Sequence, residues 1–101
     1  MVMNNKIYTI DEIKTLVTPI AQKHNVKNVY LFGSYARGEA NEDSDVDLVI
    51  NFSEPISLFT LADIIDELEN AFGKKVDVIS HNSAHPRLLY HIIDEEILMY
   101  A

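Results

Sequence analysis

Apolar positions recur along the chain with two periods, and these periods predict alternating helices and strands. Thr9 followed by Glu12 has the form of a capping box, and apolar residues repeat behind it at helical spacing, which predicts a first helix. Pro19 is expected to kink this helix or split off its last turn. A longer helix is predicted from about residue 57 to 71, ended by Gly73. Its expected buried stripe consists of Leu58, Leu61, Ala62, Ile65 and Leu68.

Short apolar, β-prone runs predict the strands of a buried sheet. Residues 34–38 fit only a turn or a single helical turn, and residues 97–100 suit a short additional strand. The main predicted strands lie at residues 29–32, 46–52 and 76–79.

A last helix is predicted from Pro86 through about Ile93, because proline is favoured in the first turn of a helix. The resulting element order is α-β-β-α-β-α. It predicts an α/β (α+β) fold in which helices pack against a small mixed β-sheet. No repeat or linker divides the chain, so we expect a single domain over residues 1–101.

The composition narrows the class of protein. A hydrophobic content of 48% with three glycines and three prolines argues against disorder. The chain has no cysteine, which excludes a disulfide framework, a thiolate zinc site and a cysteine nucleophile. The first residues do not form a signal peptide, and no apolar run approaches the roughly 18 residues that a membrane span needs. We therefore expect a cytoplasmic protein with no membrane partner.

Charge is distributed unevenly along the chain, whose formal net charge is −8. Residues 1–38 carry a balance of +3 and residues 39–101 a balance of −11. A protein that binds DNA or RNA through phosphates normally shows the opposite overall sign, so no direct nucleic-acid contact is expected. Solubility explains much of the surplus. The densest acidic stretch contains Glu39, Glu42, Asp43, Asp45 and Asp47.

The predicted second strand opens on Ser44-Asp45-Val46-Asp47. Residues two apart on a strand point to the same face, so Asp45 and Asp47 should project side by side. Two carboxylates at such a short distance repel each other, and proteins tolerate this chiefly where a cation or a shared proton offsets the repulsion. Oxygen ligands favour hard metals such as Mg²⁺. The alternative is a solvated acidic start to the strand.

A third acid, Asp77, interrupts the apolar third strand. An ionised carboxylate there is costly without a partner, although at a sheet edge it would simply face water. If the third strand lies beside the second, Asp77 joins Asp45 and Asp47 on one face. Three carboxylates then suit two metal ions roughly 3.5–4 Å apart.

Gly33-Ser34 directly follows the first predicted strand. Glycine lets the backbone approach a ligand closely, and serine at the start of a helical turn adds a hydroxyl to N–H groups that can hold a phosphate. An ordinary turn is the alternative explanation. The spacing is more specific, since Gly-Ser, ten residues and Asp-x-Asp would match by chance about once in a thousand such chains.

This combination resembles the signature of the DNA polymerase beta-type nucleotidyltransferase superfamily, with residues 29–50 (VYLFGSYARGEANEDSDVDLVI) carrying the likeness. The chain is most similar to the minimal, stand-alone MNT-domain group, over essentially its whole length. The resemblance implies a nucleotidyltransferase fold, ATP as substrate and Mg²⁺, expected as two ions. Many minimal members are antitoxins that inactivate a HEPN-domain ribonuclease toxin by adding AMP to a tyrosine. The same activity, protein adenylyltransferase, and the same kind of partner are therefore implied here.

The resemblance also assigns roles position by position. Asp77 matches the carboxylate that helps bind metal and accepts the proton of the attacking hydroxyl. Arg37 is a candidate phosphate contact, for which a solvated surface arginine is the alternative. The implied catalytic and metal-binding residues are Asp45, Asp47 and Asp77, and the implied ATP-binding residues are Gly33, Ser34 and Arg37.

Two other functions remain open at this level. A nucleotidyltransferase of this fold could act on a small-molecule acceptor, but the catalytic elements use most of 101 residues. We therefore expect the acceptor surface to come from a partner or from a second copy of the chain, which favours a protein acceptor. Alternatively, the chain is a non-catalytic binding module whose acidic segment neutralises a basic partner. The intact set of glycine, serine and aspartates favours catalysis, because a neutralising surface needs no such set.

Overall fold

The computed structural model describes residues 4–79 and 96–101. The helix predicted from Pro86 to Ile93 lies outside these residues. In the described parts of the chain, no helix has the length and hydropathy needed to cross a membrane. The elements are, in chain order, α1 (Ile10–Lys23), β1 (Val26–Phe32), α2 (Gly33–Arg37), β2 (Val46–Phe52), α3 (Leu58–Phe72), β3 (Val76–Ile79) and β4 (Ile97–Tyr100).

Helix α1 begins at the predicted capping box. The Thr9 hydroxyl accepts a hydrogen bond from the Glu12 amide at 3.1 Å, and the Glu12 carboxylate accepts one from the Thr9 amide at 2.9 Å. Pro19 does not split off the last turn of this helix, since α1 continues to Lys23. Proline has no N–H group, so the carbonyl of Thr15, four residues earlier, receives no hydrogen bond from it. Thr15 is exposed, and water can donate the missing hydrogen bond.

Helix α3 is also delimited by its predicted signals. The Ser57 hydroxyl accepts a hydrogen bond from the Thr60 amide at 3.1 Å, and Gly73 ends the helix with a φ of 63°. The predicted buried stripe is confirmed at Leu68 and wrong at Leu58, which is 83% exposed, and at Ala62, which is exposed as well. The buried face is formed instead by Ile64, Leu68 and Phe72, which repeat every four residues.

The strands form one mixed sheet in the order β3-β2-β1-β4. β1 pairs antiparallel with both β2 and β4, whereas β2 and β3 run parallel. Helices α1 and α3 contact each other and pack against the sheet, α1 along β1 and β4 and α3 along β3. This confirms the predicted fold class and adds the short helix α2 to the predicted order.

Alternate residues at the start of β2 point into the hydrophobic core. Val46, Leu48 and Ile50 of β2 are at most 2% exposed and belong to the hydrophobic core. Asp47 alternates with them and therefore projects from the opposite face. The core thus fixes the direction in which the first residues of β2 present a carboxylate.

Candidate active site

Two of the predicted acids lie side by side on neighbouring strands. The parallel register of β2 and β3 pairs Asp47 with Asp77. Residues paired in this way project from the same face of the sheet. Asp45 immediately precedes β2. Strand pairing therefore brings Asp77 to the acids of β2, although these residues are far apart in sequence.

The backbone of Gly33 lies against the Asp47 carboxylate. β1 pairs Phe32 with Asp47, so the chain turns into α2 directly beside this acid. Gly33 has a φ of 74°, a conformation that residues with a side chain rarely adopt. A Cβ atom at this position would lie 2.3 Å from Oδ2 of Asp47. Both the backbone conformation and the close approach therefore require glycine.

The electrostatics around Asp47 show that negative charge is concentrated there. Burial raises the pKa of Asp47 to about 6, and Asp77 adds to this rise through charge repulsion and a shared hydrogen bond. Asp45 raises the pKa further, and Arg37 counteracts part of the rise. A perturbation caused jointly by burial and like charges is typical of sites that bind cations or transfer protons.

The other predicted ATP-binding residues lie on α2. Ser34 is partly exposed and Arg37 is exposed. Nε of Arg37 donates a hydrogen bond to Oε2 of Glu39 at 3.0 Å, and its positive charge also acts on Asp47. One short helix therefore carries Gly33, Ser34 and Arg37, and two of these residues act on Asp47, Gly33 through the close approach of its backbone and Arg37 through its charge.

The donor chemistry of the site fits a hard divalent cation only in part. Within residues 4–79 and 96–101, no three His, Cys, Asp or Glu side chains lie close enough to hold a metal ion by themselves. The predicted convergence of Asp45, Asp47 and Asp77 takes the form of charge interactions centred on Asp47. Mg²⁺ commonly takes one or two carboxylates and completes its coordination with substrate phosphates. The acids therefore fit Mg²⁺ together with a triphosphate.

Two consecutive lysines lead into β3, and neither was predicted to belong to the site. Nζ of Lys75 lies 3.8 Å from Oδ1 of Asp77, and its predecessor Lys74 is buried. The position of Lys75 near Asp77 could have been predicted, because residues two apart on a strand project from the same face. Lys74 gives no comparable signal, since consecutive lysines normally indicate a solvated surface.

Comparison with known proteins agrees with this geometry. Residues 14–101 match the family model described as "Polymerase beta, Nucleotidyltransferase". The chain belongs to this nucleotidyltransferase family. The matched range includes all the residues of the candidate site. The family and the enzyme class predicted from the sequence are confirmed.

Relatives in this family carry a more specific name. A protein of Methanocaldococcus jannaschii, provisionally named a protein adenylyltransferase, is 47% identical over 88 residues, which cover 87% of this chain and 95% of the relative. The protein adenylyltransferase MntA of Thermococcus cleftensis is 32% identical over 93 residues, which cover 88% of this chain and 94% of the relative.

A solved structure shows the same fold. It contains a tri-AMPylated Shewanella oneidensis HEPN toxin in complex with an MNT antitoxin. The likeness has a TM-score of 0.73 at 16% identity and covers 92% of this chain and 73% of the matched chain. The nucleotidyltransferase fold expected from the sequence is therefore confirmed by shape as well as by sequence.

Proposed function

We propose that this nucleotidyltransferase transfers AMP from ATP to a tyrosine hydroxyl of a HEPN-type ribonuclease toxin and thereby acts as its antitoxin in the cytoplasm. The observation that carries the proposal is the pairing of Asp47 with Asp77 beside the backbone of Gly33. Support for the acceptor comes from the relatives named protein adenylyltransferases and from the AMPylated toxin of Shewanella oneidensis.

Each acid has a role in the proposed transfer. Asp45, Asp47 and Asp77 would hold Mg²⁺, expected as two ions, and this metal would supply positive charge to neutralise the triphosphate. Asp77, whose side chain is 47% exposed, also accepts the proton of the attacking hydroxyl. The hydroxyl oxygen forms a bond to the α-phosphorus of ATP, the bond to the bridging oxygen breaks, and pyrophosphate leaves.

The residues of α2 hold the triphosphate in this proposal. Gly33 lets the chain pass close to the acids, and Ser34 contributes a hydroxyl donor. Arg37 contributes a guanidinium whose geometry suits phosphate oxygens, after exchanging its contact with Glu39 for the ligand. Positioning and charge stabilisation supply most of the rate, because the protein itself forms no covalent bond to AMP.

The test combines the purified chain with a HEPN toxin, ATP and Mg²⁺. Catalysis predicts that the toxin gains the mass of one or more AMP units at far less than one equivalent of this chain. The modified toxin should stay inactive after this chain is removed. Intact-protein mass spectrometry and a ribonuclease assay measure both outcomes.

A pair of matched variants separates catalysis from neutralisation by charge. Asp45→Asn and Asp43→Asn each remove one acid from the same loop, but only Asp45 belongs to the candidate site. Asp45→Asn should abolish transfer and Asp43→Asn should leave it close to wild type. Equal protection by both variants at one equivalent, with no AMP on the toxin, would instead identify a binding module whose acidic segment neutralises its partner.

A further inference from the structure

Lys74 differs from every other charged residue in the described parts of the chain, because it alone is buried. Only 3% of its surface is exposed. Removing an ammonium group from water is costly unless hydrogen bonds replace its hydration. A buried lysine at this position therefore requires specific partners.

The partners of Lys74 are backbone carbonyls. Its Nζ donates a hydrogen bond to the Glu42 carbonyl at 2.7 Å and another to the Asn4 carbonyl at 3.3 Å. Among the described residues, no carboxylate forms an ion pair with it. The lysine therefore holds two segments of backbone in place and does not balance a buried acid.

One of these segments is the acidic loop, which we define as residues 38–45 between α2 and β2. Its first part is attached to α2, since the Glu39 amide donates a hydrogen bond to the Ser34 carbonyl at 2.9 Å. Its tip is closed on itself, because the amide of Asn41 donates to the Ser44 hydroxyl at 2.9 Å. The contact of Lys74 with Glu42 joins this tip to the rest of the molecule.

The end of the acidic loop is attached to the same place. The Val46 amide donates a hydrogen bond to the Lys75 carbonyl at 3.1 Å. Consecutive lysines thus hold the loop on both sides of Asp45, one through its side chain and the other through its backbone. The same segment continues into β3, where it presents Asp77.

We propose that Lys74 is a positioning residue, which fixes Asp45 relative to Asp47 and Asp77 by holding the acidic loop at the Glu42 carbonyl. The proposal rests on the proposed function, since the positioned acid belongs to that site. Loss of the lysine leaves the loop tip closed but removes this attachment, so Asp45 is held only from the Val46 side and becomes more mobile relative to Asp47 and Asp77. A longer arginine keeps donors that can reach the carbonyls.

The experiment compares Lys74→Met and Lys74→Arg with a control, Lys27→Met, which removes an exposed lysine from β1. Amide hydrogen exchange in residues 39–46, measured without metal, should become about tenfold faster in Lys74→Met. Affinity for Mn²⁺, used as a probe, should fall about 10- to 100-fold, as for other residues that orient metal ligands. Lys74→Arg should restore most of both properties, and Lys27→Met should change neither.

The outcomes separate this proposal from the proposed function. The positioning role would be overturned if a folded Lys74→Met variant kept the wild-type rate of amide hydrogen exchange in residues 39–46 and the wild-type affinity for Mn²⁺. Faster exchange spread evenly over the chain, with no recovery in Lys74→Arg, would show a merely structural role and also overturn it. An absence of AMP on the toxin with the wild-type chain, together with the expected exchange and Mn²⁺ results, would refute only the proposed function.

If circular dichroism shows that Lys74→Met does not fold, a second variant is used in its place. Lys74→Gln keeps a polar group but loses the charge and the reach. The same comparison with Lys74→Arg then applies, with localised loss in the glutamine variant supporting the proposal and wild-type behaviour overturning it.

Discussion

Asp47 combines two properties that rarely occur together in a carboxylate of a small fold. Neighbouring residues of its strand lie in the core, while its own side chain stands among like charges. Burial and the nearby acids raise its pKa to about 6, compared with about 3.9 for an ordinary aspartate. Without a cation, the ionised form of Asp47 therefore destabilises the folded chain at neutral pH.

The pH dependence of Asp47→Asn follows from this shift. Between about pH 4 and 6 the folded wild type binds more protons at this position than the unfolded chain, so its stability falls as the pH rises. In EDTA at pH 7 the variant should be more stable than wild type by about 1 kcal/mol, after the discount that a partly exposed group requires. Urea unfolding at pH 4 and pH 7 measures the difference.

Two comparisons check this prediction for Asp47. The advantage of the variant should be much smaller near pH 4, where Asp47 of the folded wild type is mostly protonated and carries as little charge as the asparagine. Asp43→Asn, which removes an exposed acid of the same loop, should change the free energy of unfolding by no more than about 0.5 kcal/mol. An Asp47→Asn variant that is less stable than wild type at pH 7, or equally favoured at both pH values, would contradict the assigned electrostatics.

Among the elements, α3 shows how the same helical period allows two different buried faces. Leu68 lies on both the predicted and the observed face, whereas Leu58 lies only on the predicted one. Leu68 is 1% exposed and Leu58 is 83% exposed. The observed face is set by the contacts of α3 with α1 and β3.

Matched truncations of α3 test this face. Leu68→Ala should lower the free energy of unfolding by about 2–5 kcal/mol, because it removes buried methyl groups and leaves a cavity. Leu58→Ala should change it by no more than about 0.5 kcal/mol. Urea unfolding of both variants provides the measurement, and a large loss in Leu58→Ala would contradict the observed packing.

The predictability of each element depends on whether its signal is local. Capping residues and strand-forming runs are local, so both helix starts and the strands at residues 46–52, 76–79 and 97–100 agree with the sequence predictions. Strand β1 begins earlier than predicted, at Val26, because pairing with β2 continues through the polar residue Asn28 and, past a shift in register, to Val26. Packing between elements, which decides the buried face of α3, has no local signal.

In the candidate site as well, some features have a local signal in the sequence and others depend on how the elements pack. The period of a strand predicts that Asp45 and Asp47 share a face. Their proximity to Asp77 requires β3 to lie beside β2 in parallel register, which follows from the sheet order and not from the local pattern. The attachment made by Lys74 depends on the path of the acidic loop and could not be predicted from its sequence neighbours.

For the whole molecule, the site and the stability of the fold are coupled through ligand binding. A ligand that binds only the folded chain stabilises it by RT ln(1 + [L]/Kd), about 2.7 kcal/mol at a hundredfold excess over Kd. In a domain of this size each kcal/mol raises Tm by about 4–8 °C. ATP with Mg²⁺ should therefore raise Tm by about 10 °C or more at saturation.

The metal dependence of this shift distinguishes nucleotide binding at the acids from binding elsewhere. ATP with EDTA should raise Tm much less, because the triphosphate then adds negative charge to Asp45 and Asp47 with no cation to offset it. Asp45→Asn should lose most of the Mg²⁺-dependent rise in Tm. Asp43→Asn, which has the same net charge, should keep this rise. Differential scanning fluorimetry of the three chains with and without EDTA measures these shifts. An equal shift in EDTA, or an unchanged Mg²⁺-dependent shift in Asp45→Asn, would remove the acids of β2 from the ATP site.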